Sequence, residues 1–450
     1  MNDLSAANLR LFIRHAVAIS LAISISSSWT ITDLLLLNLQ FDLTRFGMIK
    51  SSMFLLPAVS YLAATGLLKK LDRDLAVAAQ AYLWRVLLPI ILTVVAILCY
   101  NREVLLWTAV VIFSLSYSCA MFANNTLLKI YRRALSPEDF NRGSMFLPIL
   151  MGIPAGVFCL GAVWLLNRFG SDRQTFLYCL LALQLFLLLF EFPGIRAIMA
   201  VRCPEAPETP AADSPEAPRR TRAWAIFRHP EMMRLLALMT TQGVWMGLVS
   251  TYFVVYLLKI RHWDPSILPC AELALWILAF LTASKVGRLA GRIGYMKVFA
   301  AGTLAIFAVQ ALWLTFWEST WMLIVFAVFI YNGNNGLLAV LCRGLEGTAT
   351  TALAKPGLEE LYIAAGTLVF SLGCFGGCLA AGHLFGAIGG EETARFIPYF
   401  RYTLILPPVM FLFTLPLPKF RRGNPDSILN RVCGGRNSDP LQFQLKGEKK

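Results

Sequence analysis

Long apolar runs separated by short polar segments dominate the hydropathy pattern of this chain. A membrane-spanning helix needs about 20 consecutive, mostly apolar residues, and twelve runs of that order can be drawn. The pattern therefore predicts an all-α integral membrane protein with twelve transmembrane helices. The predicted spans are 14–38, 47–68, 78–99, 105–128, 144–166, 175–195, 235–258, 268–286, 297–317, 320–342, 360–387 and 398–418.

The composition agrees with this pattern, since 57% of the 450 residues are hydrophobic and only 15% are charged. A net charge of +14 would suggest nucleic-acid binding in a soluble chain. Here the basic residues concentrate in alternate loops: with the amino terminus inside, 30 of the 40 Lys and Arg residues fall in cytoplasmic segments. The positive-inside rule then predicts a multi-pass protein of the plasma (inner) membrane with both termini cytoplasmic. The expected surroundings are a lipid bilayer and no nucleic acid.

A Pro-rich polar segment follows the sixth span and has no apolar periodicity. Such a composition is typical of an extended, water-exposed linker. It predicts a six-helix bundle over 1–196, a cytoplasmic linker loop over 197–231, a second six-helix bundle over 232–418 and a basic cytoplasmic tail over 419–450.

The two halves repeat each other faintly. Gly66 at the end of span two and Gly287 at the end of span eight lie 221 residues apart, and so do the Gly-x-x-x-Gly pairs at 152–156 and 373–377. Small residues four apart make a flat stripe on which helices in a bilayer approach closely. The spacing therefore predicts related folds for the halves.

A basic turn with three glycines joins spans eight and nine, where residues 287–297 are Gly-Arg-Leu-Ala-Gly-Arg-Ile-Gly-Tyr-Met-Lys. It resembles the major facilitator superfamily signature Gly-x-Leu-Ala-Asp-Arg-x-Gly-Arg-Lys, although Gly291 stands where the signature has Asp. A degraded copy, Lys-Lys-Leu-Asp-Arg at 69–73, follows span two. The resemblance implies two pseudo-symmetric bundles that rock around a central site, with spans 1, 4, 7 and 10 lining the cavity and spans 2, 5, 8 and 11 at the bundle interface.

In that family the turn is thought to latch the cytoplasmic side through its acid. We therefore expect the latch of this chain to depend on Asp72 more than on position 291. The implied inner-gate residues are Gly66, Asp72, Arg73, Gly287, Arg288, Arg292, Gly294 and Lys297.

Charged residues inside predicted spans need an explanation, because each costs at least about 2.5 kcal/mol on insertion scales. Glu272, on the outer side of the middle of span eight, is the first candidate for proton coupling; a structural pairing with a cation such as Lys50 is the alternative. Asp33 and Lys50 lie at comparable depth, so an ion pair is expected, with proton handling by Asp33 as the alternative. Arg85 is expected to reach the interface, with pairing to Asp72 or Asp74 as the alternative. His383 is either structural or a third proton-coupling candidate.

Uncharged polar residues near the middle of several spans are candidates for substrate binding. The cluster 331–336 contains three Asn and two Gly, which weaken a helix and are tolerated at that depth where they line a wet cavity. Amides beside aromatic rings suit a sugar or nucleoside, while hydrogen bonding between helices is the alternative. The candidates are Trp29, Tyr117, Gln242, Trp245, Tyr331, Asn332 and Asn335.

Two local similarities favour one branch of the family. Residues 114–131 resemble the corresponding region of nucleoside:proton symporters, and Ala-Glu-Leu at 271–273 is placed like the acid of oligosaccharide:proton symporters. The leading hypothesis is proton-coupled import of a small polar solute, by a protein that functions as a monomer. An efflux antiporter is the alternative, although the Gly-Pro core of its span-five motif is missing.

A membrane enzyme or receptor is a remote alternative. The chain has four His and no HExxH or GxxxxGK[ST] motif, and its ten cysteines are scattered. The sequence therefore predicts no enzymatic activity, no cofactor and no metal site.

Overall fold

The computed structural model of the chain describes residues 2–26, 29–67, 71–170, 172–202, 230–330, 337, 349–350, 353 and 359–415. Within these ranges almost all residues are helical. The first half contains seven helices: α1 (Asn2–Ser26), α2 (Trp29–Asn38), α3 (Leu43–Leu67), α4 (Leu71–Leu98), α5 (Arg102–Ala134), α6 (Pro137–Phe169) and α7 (Arg173–Met199).

The second half also contains seven α-helices within its described residues. They are α8 (Pro230–Val255), α9 (Ile267–Ile293), α10 (Tyr295–Thr315), α11 (Thr320–Phe329), α12 (Glu359–Ala387), α13 (Phe396–Thr403) and α14 (Leu406–Thr414). A π-helical turn, Tyr256–Ile260, continues α8, and a 3₁₀ turn, Glu392–Arg395, precedes α13.

Eight helices of the described part are long and apolar enough to cross a membrane, or nine if α9, which bends by 52° between Thr282 and Lys285, counts as one span. Each of the twelve predicted runs overlaps at least one of the helices. The first overlaps both α1 and α2, the tenth overlaps α11, and the last overlaps both α13 and α14. The molecule is therefore an all-helical membrane protein, as the hydropathy predicts.

The helix ends differ from the predicted span edges. The predicted loop over 129–142 is wrong, because α5 continues to Ala134 and α6 begins at Pro137. Leu135 is extended, and proline is favoured in the first turn of a helix because its missing N–H would have no partner there. Charged residues can continue a helix beyond the bilayer, and hydropathy does not detect that continuation.

Side-chain caps define where α5 and α7 begin. Asn101 Oδ1 accepts hydrogen bonds from the backbone N–H groups of Glu103 (3.0 Å) and Val104 (3.3 Å), which begins α5. Asp172 begins α7 in the same way, accepting from the hydroxyl (2.6 Å) and the N–H (2.9 Å) of Thr175. These hydrogen bonds hold the pKa of Asp172 below its usual value.

Two helix pairs make most of the contact between the halves. In the first half α1 packs on α6 and α7, and α5 packs on α3 and α4; in the second half α8 packs on α12 and α14. Between the halves, α3 packs on α12 and α6 packs on α9. These four helices correspond to spans two, five, eight and eleven, the spans that the resemblance places at the bundle interface.

The Gly-x-x-x-Gly pair at 373–377 gives α12 its close contact with α8. Gly373 and Gly377 lie against Thr240 and Val244, and Gly243 and Gly247 of α8 lie against the backbone of α12. A Cβ built on Gly247 would lie 2.5 Å from the Cys374 carbonyl oxygen. The prediction of a close helix approach at 373–377 is therefore confirmed, and the second half depends on it.

Gly373→Ala should destabilise the protein, since the new methyl group would overlap the Thr240 carbonyl and backbone atoms cannot move aside cheaply. We expect a loss of about 1–3 kcal/mol, as for other overpacked sites. Thermal unfolding of the detergent-purified protein measures it. Gly376→Ala is the matched control: the same helix has open space there, so a comparable loss in both variants would contradict the explanation.

Candidate functional site

An ion pair is buried where α2 meets α3. Lys50 Nζ lies 2.8 Å from Asp33 Oδ1 and 3.0 Å from Oδ2, and both side chains are 0% exposed. The connection between the helices is short, and Gln40 turns it with a left-handed φ of 56°. The ion pair that the sequence predicts between Asp33 and Lys50 is therefore present.

Lys50 also crosses to the second half of the molecule. Its Nζ donates a hydrogen bond of 2.7 Å to the Ser250 carbonyl oxygen of α8. We call Asp33, Lys50 and the Ser250 carbonyl the distal clamp, because they lie toward the end of the bundle opposite the basic turn at 287–297. One cation thus holds three helices from both halves.

Neighbouring contacts close the same end of the molecule. The Tyr252 hydroxyl donates to the Leu43 carbonyl at 2.8 Å, and Asn167 Nδ2 donates to Asp264 Oδ2 at 3.1 Å. Both bonds join the first half to the second. Gly47 lies against the α12 backbone, where a Cβ would approach the Cys378 carbonyl to 2.5 Å. Side chains and backbone therefore join the halves at the distal end.

Glu272 lies at the other crossing between the halves, where α6 meets α9. Leu273 packs on Gly156, and the indole of Trp276 lies across Gly152. Trp276 is one helical turn from Glu272 and lies beside its carboxyl group, although no group accepts a well-formed hydrogen bond from the indole N–H. Since Lys50 forms its ion pair with Asp33, the structure does not support Lys50 as the structural partner of Glu272.

Two substrate candidates of α8 are buried within the second half. Gln242 is 4% exposed and Trp245 is 2% exposed. Trp245 Nε1 donates to Gln310 Oε1 at 3.0 Å, and Gln310 Nε2 donates to the Thr403 hydroxyl at 2.7 Å. These bonds tie α8 to α10 and α13, which is a packing contact of the kind that the sequence left open as the alternative.

Of the other predicted site residues, Tyr117 and His383 have described side chains, on different helices. Tyr117 is half-buried on α5, within electrostatic range of Arg85. His383 is exposed on the distal part of α12. The side chain of Trp29 and the cluster with Tyr331, Asn332 and Asn335 lie outside the described residues. The structure therefore brings Asp33 to Lys50, whereas only Tyr117, Gln242 and Trp245 of the substrate candidates have described side chains, so their assembly into one site stays a prediction.

The basic turn has one position that requires glycine. Gly294 ends α9 and begins α10 with φ 99° and ψ 143°, a conformation that other residues rarely adopt. Gly287 and Gly291 have open space where a Cβ would lie. Arg288, Arg292 and Lys297 are exposed, whereas the side chains of Asp72 and Arg73 and the surroundings of Gly66 lie outside the described residues.

Solved structures resemble the chain over nearly its full length. A mutant of nucleoside transporter NupG matches with a TM-score of 0.62 and 14% identity, over 90% of this chain and 98% of that chain. A second NupG structure matches with a TM-score of 0.61 and 13% identity, over 91% and 100%. A bacterial homolog of the human lysosomal transporter Spinster, inward-facing and occupied, matches with a TM-score of 0.57 and 12% identity, over 92% and 96%.

The chain has the major facilitator fold. This likeness is one of structure, since no protein-family model and no curated protein matches the sequence. The solved structures named above are described as a nucleoside transporter and as a homolog of a lysosomal transporter. The distal clamp and the α6–α9 crossing thus lie between the two halves of a major facilitator fold.

Three residues at these contacts were not predicted from the sequence. Trp276 could have been found from its i,i+4 spacing to Glu272. Gln310 is separated from Trp245 by 65 residues, so no local pattern links them. Glu191 of α7 is 0% exposed, and its position inside the predicted span 175–195 was the available signal.

Removing Lys50 should destabilise the protein strongly. Lys50→Met leaves Asp33 buried without its cation, and breaking a buried pair in this way typically costs about 3–5 kcal/mol. Adding Asp33→Asn to Lys50→Met should recover part of the loss, because the unpaired charge is gone. Thermal unfolding in detergent measures both.

Glu103→Gln is the control for that experiment. It removes an ion pair of similar length, in which Glu103 Oε1 lies 2.7 Å from Arg45 Nη1. The Glu103 side chain is 60% exposed. Exposed pairs contribute about 0–1 kcal/mol. If Lys50→Met and Glu103→Gln lower stability equally, the clamp is not a buried ion pair in solution.

Gly152→Ala should force the Trp276 indole off α6, with an expected loss of about 1–3 kcal/mol. Adding Trp276→Ala should relieve the overlap, so the double variant should be more stable than the additive expectation. Gly161→Ala, on the same helix but facing open space, is the control. Simple additivity of the first two changes, measured by thermal unfolding, would show that the predicted overlap does not occur.

Proposed function

We propose that this protein is a secondary active transporter with twelve transmembrane helices in two six-helix bundles, and that it imports a small polar solute together with protons by alternating access. The observation that carries the proposal is the distal clamp, in which an ionisable pair also bonds the opposite half of the molecule. A transporter of this kind needs its conformational equilibrium to depend on proton binding.

The clamp supplies such a dependence. With the distal end closed, Lys50 stabilises the Asp33 carboxylate. When the halves separate at this end, the Ser250 carbonyl withdraws from Lys50 and water reaches the pair, so the free energy of protonating Asp33 differs between the open and the closed distal end. Proton binding and opening of this end are therefore coupled. By linkage, the same free energy couples proton binding and opening in both directions.

The charge distribution orients the molecule in the membrane. The basic loops assign the termini and the turn at 287–297 to the cytoplasm, so the distal end faces outward. The contacts at the distal end would then close the outer side of the molecule. Import would require protons to bind from outside while the distal end is open and to leave toward the cytoplasm after reorientation.

The remaining parts of the proposal rest on the sequence and on the likeness to a nucleoside transporter. A nucleoside- or sugar-like solute would suit amide and aromatic side chains of spans one, four, seven and ten. Glu272 would take part in proton coupling at the α6–α9 crossing. Asp72 would latch the cytoplasmic end, and the monomer would be the working unit in the plasma (inner) membrane.

Proteoliposomes with an inward proton gradient should accumulate labelled nucleosides or sugars. Glu272→Gln should abolish accumulation but retain exchange of solute without a gradient, because it removes proton coupling and leaves reorientation. The double variant Asp33→Asn/Lys50→Met, which leaves neither charge buried alone, should do the same for the clamp. Glu103→Gln should behave like wild type. Uptake that is indifferent to the gradient would overturn proton coupling, and extrusion of the solutes against an inward gradient would favour the efflux antiporter instead.

A further inference from the structure

A second buried carboxyl group lies inside the first half, away from the clamp. Glu191 of α7 is 0% exposed, and neither of its carboxylate oxygens has a hydrogen-bond partner within the described structure. Buried polar groups in proteins are nearly always hydrogen-bonded. A carboxyl group without a partner in a membrane-spanning helix therefore calls for a functional explanation.

The helices packed around Glu191 place several polar side chains near its carboxyl group. Arg85 of α4 is within electrostatic range of Glu191, Tyr82 and Tyr117. The Tyr82 hydroxyl donates to Asn124 Oδ1 at 2.8 Å, which connects α4 to α5. Arg85, the cation that interacts electrostatically with Glu191, thus belongs to a cluster built from three helices. The carboxylate forms no direct ion pair with it among the described contacts.

Helix α1, which packs on both α7 and α4, contributes a histidine. The His15 Nδ1–H of α1 donates to the Gly194 carbonyl at 2.9 Å, one helical turn from Glu191. Its ring packs edge-on against Tyr82, with centroids 5.1 Å apart, and Nε2 is buried without a partner. The third neighbour, α6, meets α7 through Phe158 and Phe190, with centroids 6.3 Å apart.

We propose that Glu191 is a proton-binding site of this transporter, distinct from the clamp. In the described conformation its carboxyl group has no donor and no direct cation, so the neutral acid fits these surroundings and the carboxylate does not. A small shift of α4 against α7 would bring Arg85 to the carboxylate and allow the proton to leave. Arg85 thus acts as a positioning residue for the titration of Glu191.

This inference deepens the proposed function, because it names a coupling group for the same proton-driven cycle. It places that group within one bundle, at the α1–α4–α7 contact, where the packing is close: a Cβ on Gly194 would lie 3.2 Å from the Ala18 Cβ. Binding or release of one proton there would change how α4 and α7 pack. Asp33 responds to separation of the halves, whereas Glu191 responds to rearrangement inside a half.

Infrared difference spectroscopy of the full-length reconstituted protein tests the inference without any substrate. On titration from acid to alkaline pH, a C=O stretching band of a protonated, buried carboxyl group should disappear in the wild type. Glu191→Gln should lack this band, and Glu191→Asp should keep a shifted one. In Arg85→Gln the band should persist to higher pH, because the positive charge that favours the carboxylate is lost. An unchanged band in Glu191→Gln would overturn the proposal.

Two controls on other carboxyl and polar groups sharpen the result. Gln184→Leu changes a buried polar side chain two turns away on α7, 4% exposed, and should leave the band intact. Asp33→Asn should also leave it intact, since the clamp is a separate site. A band that responds to sodium ions rather than to pH would show that the site binds a metal cation, and it would overturn the proposal that Glu191 binds a proton.

Transport measurements then separate this inference from the proposed function. If wild-type proteoliposomes accumulate solute under a proton gradient but Glu191→Gln accumulates it equally well, Glu191 does not couple transport and only this inference fails. If the wild type shows no proton-driven transport but the band assignment holds, the proposed function fails and Glu191 remains a proton-binding site.

Discussion

A buried charge in a bilayer must have a partner, and this requirement governs the distal end of the molecule. The Lys50 side chain is 0% exposed, so its ammonium group needs partners within the protein. Asp33 and the Ser250 carbonyl are those partners. The contact between the halves is consequently electrostatic as well as steric. An interface held only by apolar packing would have no reason to respond to protons.

The hydropathy pattern was sufficient for the helices, because bilayer thickness limits their length, but it gave their ends poorly. The Asp33–Lys50 pair could be predicted because depth along a helix follows from counting residues. The bond to Ser250 could not, since every residue has a carbonyl group and the sequence does not mark the one that accepts. A helix contact 200 residues away along the chain becomes known only from the packing.

The candidate substrate residues show the same limit in another form. Trp245 is an aromatic residue of the kind that binds sugars, yet its indole N–H donates a hydrogen bond to Gln310, 65 residues later. An amphipathic ring in the middle of a span serves packing or binding equally well by its chemistry, and only the position of the partner decides. Glu191 was missed for the opposite reason: one acid among leucines and phenylalanines hardly changes the hydropathy of its span.

The positions of Asp33 and Glu191 suggest why one chain would use two carboxyl groups. A group at the interface detects which end of the molecule is open, but its protonation alone does not change the shape of either half. A group between α4 and α7 can change that shape, because packed helices have discrete arrangements rather than a continuous range. If both groups exchange protons, motion between the bundles and motion within the first bundle share one driving ion, and the α3–α5 and α4–α5 contacts connect them.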